Sequence, residues 1–166
     1  MLRSIPSGVF QNEKTNLIGN GVVLDPVLFM EEAEALCESG IDLKRTLKLS
    51  KKAHLILPTH RLLDAANEAA KGAGKIGTTG KGIGPTYTDK VARNGVRLGD
   101  IFENFTEKYT AARNRHLARL EQLGAAPDPA KLAELEARWM QAVEYLRNYA
   151  IVDGEFLIND ALAQGQ

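Results

Sequence analysis

The chain has 166 residues, and its 21 lysines and arginines balance 21 aspartates and glutamates. That neutrality gives no global pull toward nucleic acid or an anionic membrane, and no apolar run reaches the roughly 18 residues of a membrane span. The one cysteine, Cys37, excludes an internal disulfide framework and fits a reducing, cytoplasmic setting, as does an N-terminus without the apolar stretch of a secretion signal.

Residues 17–24 read as a short strand interrupted by Asn20-Gly21, a pair that favours turns. Asp25-Pro26 then starts a helix, with Asp capping free amides and Pro suited to the first helical position. Phe29, Ala33, Leu36 and Cys37 recur at helical spacing, which places Cys37 on the apolar side, and Gly40 is the stop. Stretches 47–49 and 54–57 are β candidates, His54 being structural within the second. Pro58-Thr59 opens another helix with Leu62, Leu63, Ala66, Ala69 and Ala70 on its apolar side, ended by Gly72.

Residues 72–84 are glycine-rich and predict a loop. A helix over 105–123 follows, broken at 124–127. Asp128-Pro129 repeats the capping arrangement and starts a long helix whose stripe runs Leu132, Leu135, Trp139, Val143, Leu146 and Ala150. The pattern bends near Asp153-Gly154 and resumes through Phe156, Leu157 and Leu162. The predicted class is helix-rich α/β, with a mixed part over 1–104 and a helical hairpin over 105–166 in one compact unit. Charged positions such as Glu134, Glu136 and Arg138 read as solvated helix surface.

Two patterns fail on context. Gly72-Ala73-Gly74-Lys75-Ile76-Gly77 matches GxGxxG, but it follows a helix and precedes more loop, whereas a dinucleotide site needs a strand before and a helix after. Gly74-Lys75 and Gly80-Lys81 lack the Ser or Thr that would complete a Walker A loop. The spacing of His54, His60 and His116 is not that of a metal site.

The informative run is 77–93, GTTGKGIGPTYTDKVAR. It joins glycines, threonine hydroxyls and the cations Lys81, Lys90 and Arg93, with almost no apolar content. By composition it is either a solvated surface loop or an anion site, most naturally for phosphate, with backbone amides and hydroxyls as donors.

Gly82-Ile83-Gly84-Pro85-x-Tyr87-x-x-Lys90-x-x-Arg93 resembles the signature of the adenylosuccinate synthetase family. Ile18-Gly19-Asn20-Gly21-Val22-Val23-Leu24 and Gly95-x-Arg97-x-Gly99-Asp100 are similar to that family too, in the same order, and the likeness runs from about Ile5 to the C-terminus. The resemblance implies a ligase of purine biosynthesis that joins aspartate to inosine monophosphate (IMP) with GTP and Mg2+, in a cytoplasmic homodimer. Thr79 resembles the threonine that donates to the IMP phosphate, with Thr78 beside it, and Arg93 the arginine that crosses to the partner's IMP. Lys90 sits at the signature lysine, a catalytic candidate, while Lys81, where relatives carry arginine, receives no contact. The family's Gly-Asp-Glu-Gly-Lys-Gly-Lys loop and Gly-His-Thr segment have no match here. The resemblance therefore implies an interior piece, normally packed beside a larger central sheet, inactive alone and holding neither GTP nor Mg2+. Two other readings stay open, a non-catalytic dimerisation or interaction module and a generic phosphate-binding domain; none invokes nucleic acid or a membrane.

Overall fold

The computed structural model describes residues 2–11, 13–72 and 77–165. Two small parallel sheets form its frame. In the first, β1 (Asn16–Ile18), β3 (Leu47–Ser50) and β5 (Ala150–Val152) lie in the order β1-β3-β5, with Leu17 opposite Lys48 and Leu49 opposite Ile151. In the second, β2 (Val23–Leu24) pairs with β4 (His54–Leu55). Parallel partners need a crossover, and α1 (Pro26–Glu38) with the short α2 (Leu43–Thr46) supplies it. The strand expected over 17–24 is therefore two strands in two sheets, parted where Val22 N–H closes a turn on the Gly19 carbonyl at 3.2 Å.

Capping explains where the helices begin. Asp25 Oδ1 accepts from the Val27 and Leu28 amides at 3.0 and 3.2 Å. Asp128 does the same for α6 (Pro129–Leu146), taking the Ala130 and Lys131 amides. Asp153 Oδ1 takes the Phe156 amide at the start of α7 (Gly154–Ala163). The stripe expected to carry the long helix through Ala150 ends at Leu146 instead. Ala150–Val152 leaves the helix to join β3, and the Lys51 amide binds the Val152 carbonyl at 2.8 Å. Periodicity alone does not separate so short an apolar run from a helix end; the ladder decides it.

The main core gathers Phe29, Ala33 and Leu36 of α1, Leu47 and Leu49 of β3, and Trp139, Val143 and Leu146 of α6. Trp139 Nε1 donates to the Ile56 carbonyl at 2.8 Å, so its polar edge is satisfied within the core. A smaller cluster of Leu63, Ala66 and Leu120 joins α3 (Pro58–Ala70) to α5 (Phe105–Gln122). Helices α5 and α6 are braced by Phe105, Tyr109 and Trp139, whose ring centroids lie 5.2–6.0 Å apart. Glu136 adds to the brace, accepting from Tyr109 Oη at 2.8 Å and from Arg113, and so is no plain solvated charge. Cys37 is exposed, not apolar-side core. It stands about 80° round from Phe29 at 100° per residue, at the stripe's edge in the last turn. Among the described residues no helix is long and apolar enough to cross a membrane.

Candidate functional site

The loop predicted to extend to Gly84 gives way to a helix, α4 (Ile83–Val91). Pro85 is compatible with it because the first helical turn needs no amide donor there. Gly82 starts α4 in the left-handed region, φ +75°, and a Cβ there would meet Arg61 N and the His60 carbonyl carbon at 2.9 Å each. Its amide donates to Asp64 Oδ2 at 2.9 Å, and its carbonyl receives the Thr86 hydroxyl at 2.7 Å. Gly82 thus serves the close packing of α4 on α3, and its amide already has a protein partner. Before it, Thr78 and Thr79 are exposed, and their hydroxyls make no hydrogen bond among the described residues. Thr78 lines an open cavity with Asp64, Lys71, Thr88 and Arg119.

The far end of α4 anchors on the β1–β2 turn. Tyr87 Oη donates to the Gly21 carbonyl at 2.8 Å and Lys90 Nζ to the Asn20 carbonyl at 2.5 Å. The catalytic candidate Lys90 is thereby also a clamp, half-buried over the Tyr87 ring. Arg93 follows at φ +60°. Its amide bonds the Lys90 carbonyl at 3.2 Å while the Asn94 amide bonds Asp89 at 2.9 Å, the paired closure of a helix whose next residue is ordinarily glycine. Arg93→Gly is expected to raise unfolding free energy by about 1 kcal/mol by relieving the left-handed strain, measured by urea denaturation. An arginine kept where glycine is favoured points to a task for its side chain.

Asp89 ties α4 to two helices. Its Oδ2 accepts from His60 Nε2 at 3.2 Å and His116 Nε2 at 2.9 Å, with Arg115 at 3.6 Å. His60 Nδ1 takes the Leu57 amide at 2.9 Å, and His116 Nδ1 faces the Thr59 hydroxyl at 2.7 Å. Because a carboxylate only accepts, both rings present Nε2–H to it, and His60, whose Nδ1 accepts the Leu57 amide, is the neutral imidazole. Against the opposing pull of burial, the hydrogen bonds from His116 and His60 hold the Asp89 carboxyl well below the usual carboxylate range. Burial likewise pushes the His60 imidazolium down. These three side chains form a metal-sized cluster, but they do not fit one. With Leu57 N–H on Nδ1, His60 must keep its proton on Nε2, the atom that would have to bind the ion. Nor is the set oxygen-rich, as magnesium requires. The node was not visible in sequence, since His60 and His116 stand 29 and 27 residues from Asp89.

His54 is 4% exposed, as a structural residue should be. Burial, then the charges of Lys90 and Arg97, push its imidazolium down to about 4. An unfolded histidine titrates near 6.5, so between pH 6.5 and 4 the unfolded chain binds more protons and stability falls as pH falls. The contribution is complete above pH 6.5 and amounts to at most about 3 kcal/mol, with His60 acting in the same direction. Urea denaturation at pH 7 and pH 4.5 checks this, and His54→Asn is expected to flatten the difference.

Among the described residues, the four candidates do not converge. Thr78 and Thr79 precede α4, whereas Lys90 is in its last turn and Arg93 just beyond it, on a different cavity. The helix has 9 residues, so its ends are about 13 Å apart. The GxGxxG match falls largely on residues 73–76, outside the described residues.

The helix-rich α/β frame of short parallel strands matches a solved structure. The fully ligated adenylosuccinate synthetase of Plasmodium falciparum superposes with a TM-score of 0.82 at 30% identity, covering 99% of this chain and 38% of that one. The adenylosuccinate synthetase family model matches residues 1–166. Curated adenylosuccinate synthetases of Porphyromonas gingivalis and Parabacteroides distasonis are 67% and 61% identical over the whole chain. The class is thus a helix-rich α/β fold shared over this span with a synthetase. The chain belongs to the adenylosuccinate synthetase family, and it spans 38–39% of the length of these two relatives.

Proposed function

We propose that this chain supplies the positioning part of a GTP-dependent ligase that joins IMP and L-aspartate on the way to AMP. In this reading Thr79, with Thr78, donates to the IMP phosphate, and Arg93 reaches the IMP of a partner subunit in a cytoplasmic homodimer. Lys90 holds the α4 end against Asn20 and lends its charge nearby. GTP, Mg2+ and the phosphoryl chemistry belong to residues outside this chain, which is silent alone. The observation that carries the reading is the separation along α4: hydroxyls without partners before its start, and an arginine held at φ +60° past its end. One cation that cannot converge on its own chain's hydroxyls suits a shared site.

The test is IMP binding by calorimetry to the chain, to Thr79→Ala and Arg93→Ala, and to the two variants mixed. Each variant alone is expected to lose about tenfold or more in affinity, and the mixture to regain part of it through one intact composite site per mixed dimer. Equal affinity in all samples would reject the assignment. A second reading, a non-catalytic interaction module, draws on Phe156 and Leu162, 72% and 67% exposed on α7. A chain that stays monomeric at high concentration in light scattering would remove it.

A further inference from the structure

The segment 77–82 is tied to α3 at both ends. The Gly77 amide donates to Glu68 Oε1 at 2.6 Å, and the Gly82 amide to Asp64 Oδ2 at 2.9 Å. The two acceptors stand four residues apart, so they share one face of α3, roughly 6 Å apart along its axis. The segment therefore runs back along α3, from its last turn toward its middle. Extended, the stretch from Gly77 to Gly82 would reach roughly 17 Å, so ends tied this close together make it arch. Gly77, Gly80 and Gly82, at φ +80°, +63° and +75°, take the bends. Residues 78–81 between the ties are exposed, whereas Gly82 is buried.

Both oxygens of Glu68 are engaged. Oε2 receives Lys71 Nζ at 3.1 Å, and the Glu68 side chain is only 13% exposed. It lines the open cavity at Thr78 together with Asp64, Lys71 and Arg119. A carboxylate beside hydroxyls that await a phosphate opposes the anion by charge. Its use there lies in the hydrogen bond instead. Glu68 fixes the backbone amide next to Thr78, while the Thr78 and Thr79 hydroxyls make no hydrogen bond among the described residues. Donors held in place before the ligand arrives lower the ordering cost of binding.

We propose that Glu68 is a positioning residue for the threonine half-site. With Asp64 holding the Gly82 end, its carboxylate holds the Gly77 end and so sets where the Thr78 and Thr79 hydroxyls face. The inference rests on the IMP reading for the ligand, whereas the anchoring itself is a property of the free chain.

Two variants separate the hydrogen bond from the charge. Glu68→Ala removes the acceptor, and Glu68→Gln removes only the charge, because its amide oxygen still takes the Gly77 amide. In ligand-free labelled chain, backbone relaxation at Thr78 and Thr79 should show fast motion in Glu68→Ala and wild-type order in Glu68→Gln. IMP titration should give an affinity about fivefold lower in Glu68→Ala and within roughly twofold of wild type in Glu68→Gln. A pure charge effect has the opposite sign, since it would tighten IMP binding in both. Unaltered His60 and His116 ring signals will show that the variants are folded. Unchanged order at Thr78 and Thr79 in folded Glu68→Ala, IMP binding there as tight as wild type or tighter, or an equal loss in Glu68→Gln overturns the proposal. A wild-type chain that does not respond to IMP removes the IMP reading instead, and the ligand-free relaxation then decides the anchoring by itself.

Discussion

Gly82→Ala is expected to destabilise the chain by on the order of 3 kcal/mol, whereas Gly84→Ala, two residues on, should be neutral or stabilising by about 0.5–1 kcal/mol. Two costs add at Gly82. A side chain there must hold φ +75°, and its Cβ would lie 2.9 Å from backbone atoms of both Arg61 and His60. Backbone in the first turn of α3 cannot move aside as the end of a flexible side chain can. The shift that relieves the clash would also pull the Gly82 amide off Asp64, leaving a buried donor unpaired. At Gly84 nothing lies within 4 Å of an added Cβ, so only the gain in helix propensity remains. Equilibrium urea denaturation of both variants separates packing from ligand approach as the reason for the signature's first glycine. Equal stability in the two would refute the packing account.

Asp89→Ala is the second large effect, a loss on the order of 3 kcal/mol and roughly 10 °C in midpoint for a chain of this size. Removing the carboxylate strands the Nε2–H donors of His60 and His116, which are 0% and 4% exposed. Each stranded donor costs about 1–3 kcal/mol. Asp89→Asn should be milder, because one amide oxygen still accepts. The pH dependence follows from the direction of the shift. A carboxyl held below its unfolded value stabilises fully above the unfolded pKa, and that stability is lost as pH falls through the folded one. Wild type should therefore lose stability on acidification below about pH 4, and Asp89→Ala should lose less over the same span. Thermal scans at pH 7 and pH 3 read both effects.

How much of this could be read from the chain depends on how local each cause is. Asp25-Pro26 and Asp128-Pro129 marked two helix starts because cap and amides are two or three residues apart. Helix α4 stayed hidden because Gly82, Gly84 and Pro85 argue for a loop by propensity, and what favours helix is the fit of Gly82 against α3, a tertiary fact. Strand β5 was hidden for a related reason: three apolar residues after a helix show no period of their own until β3 is beside them. Thr78, Thr79, Lys90 and Arg93 were legible as a motif in one run. That they occupy opposite ends of a helix was not, because the helix itself was unseen. Glu136 and His116 gain their partners only when α5 meets α6 and α4.

The central claim is that residues 77–81 form a half-site for IMP whose missing cation comes from a second subunit. The most direct measurement follows the backbone amides of 77–93 in labelled chain during titration with IMP, with inorganic phosphate and GTP as controls. The account predicts saturable shifts at Thr78 and Thr79, specific to IMP and abolished by Thr79→Ala. Unmoved amides at Thr78 and Thr79 under saturating IMP, or shifts that survive Thr79→Ala, would contradict it.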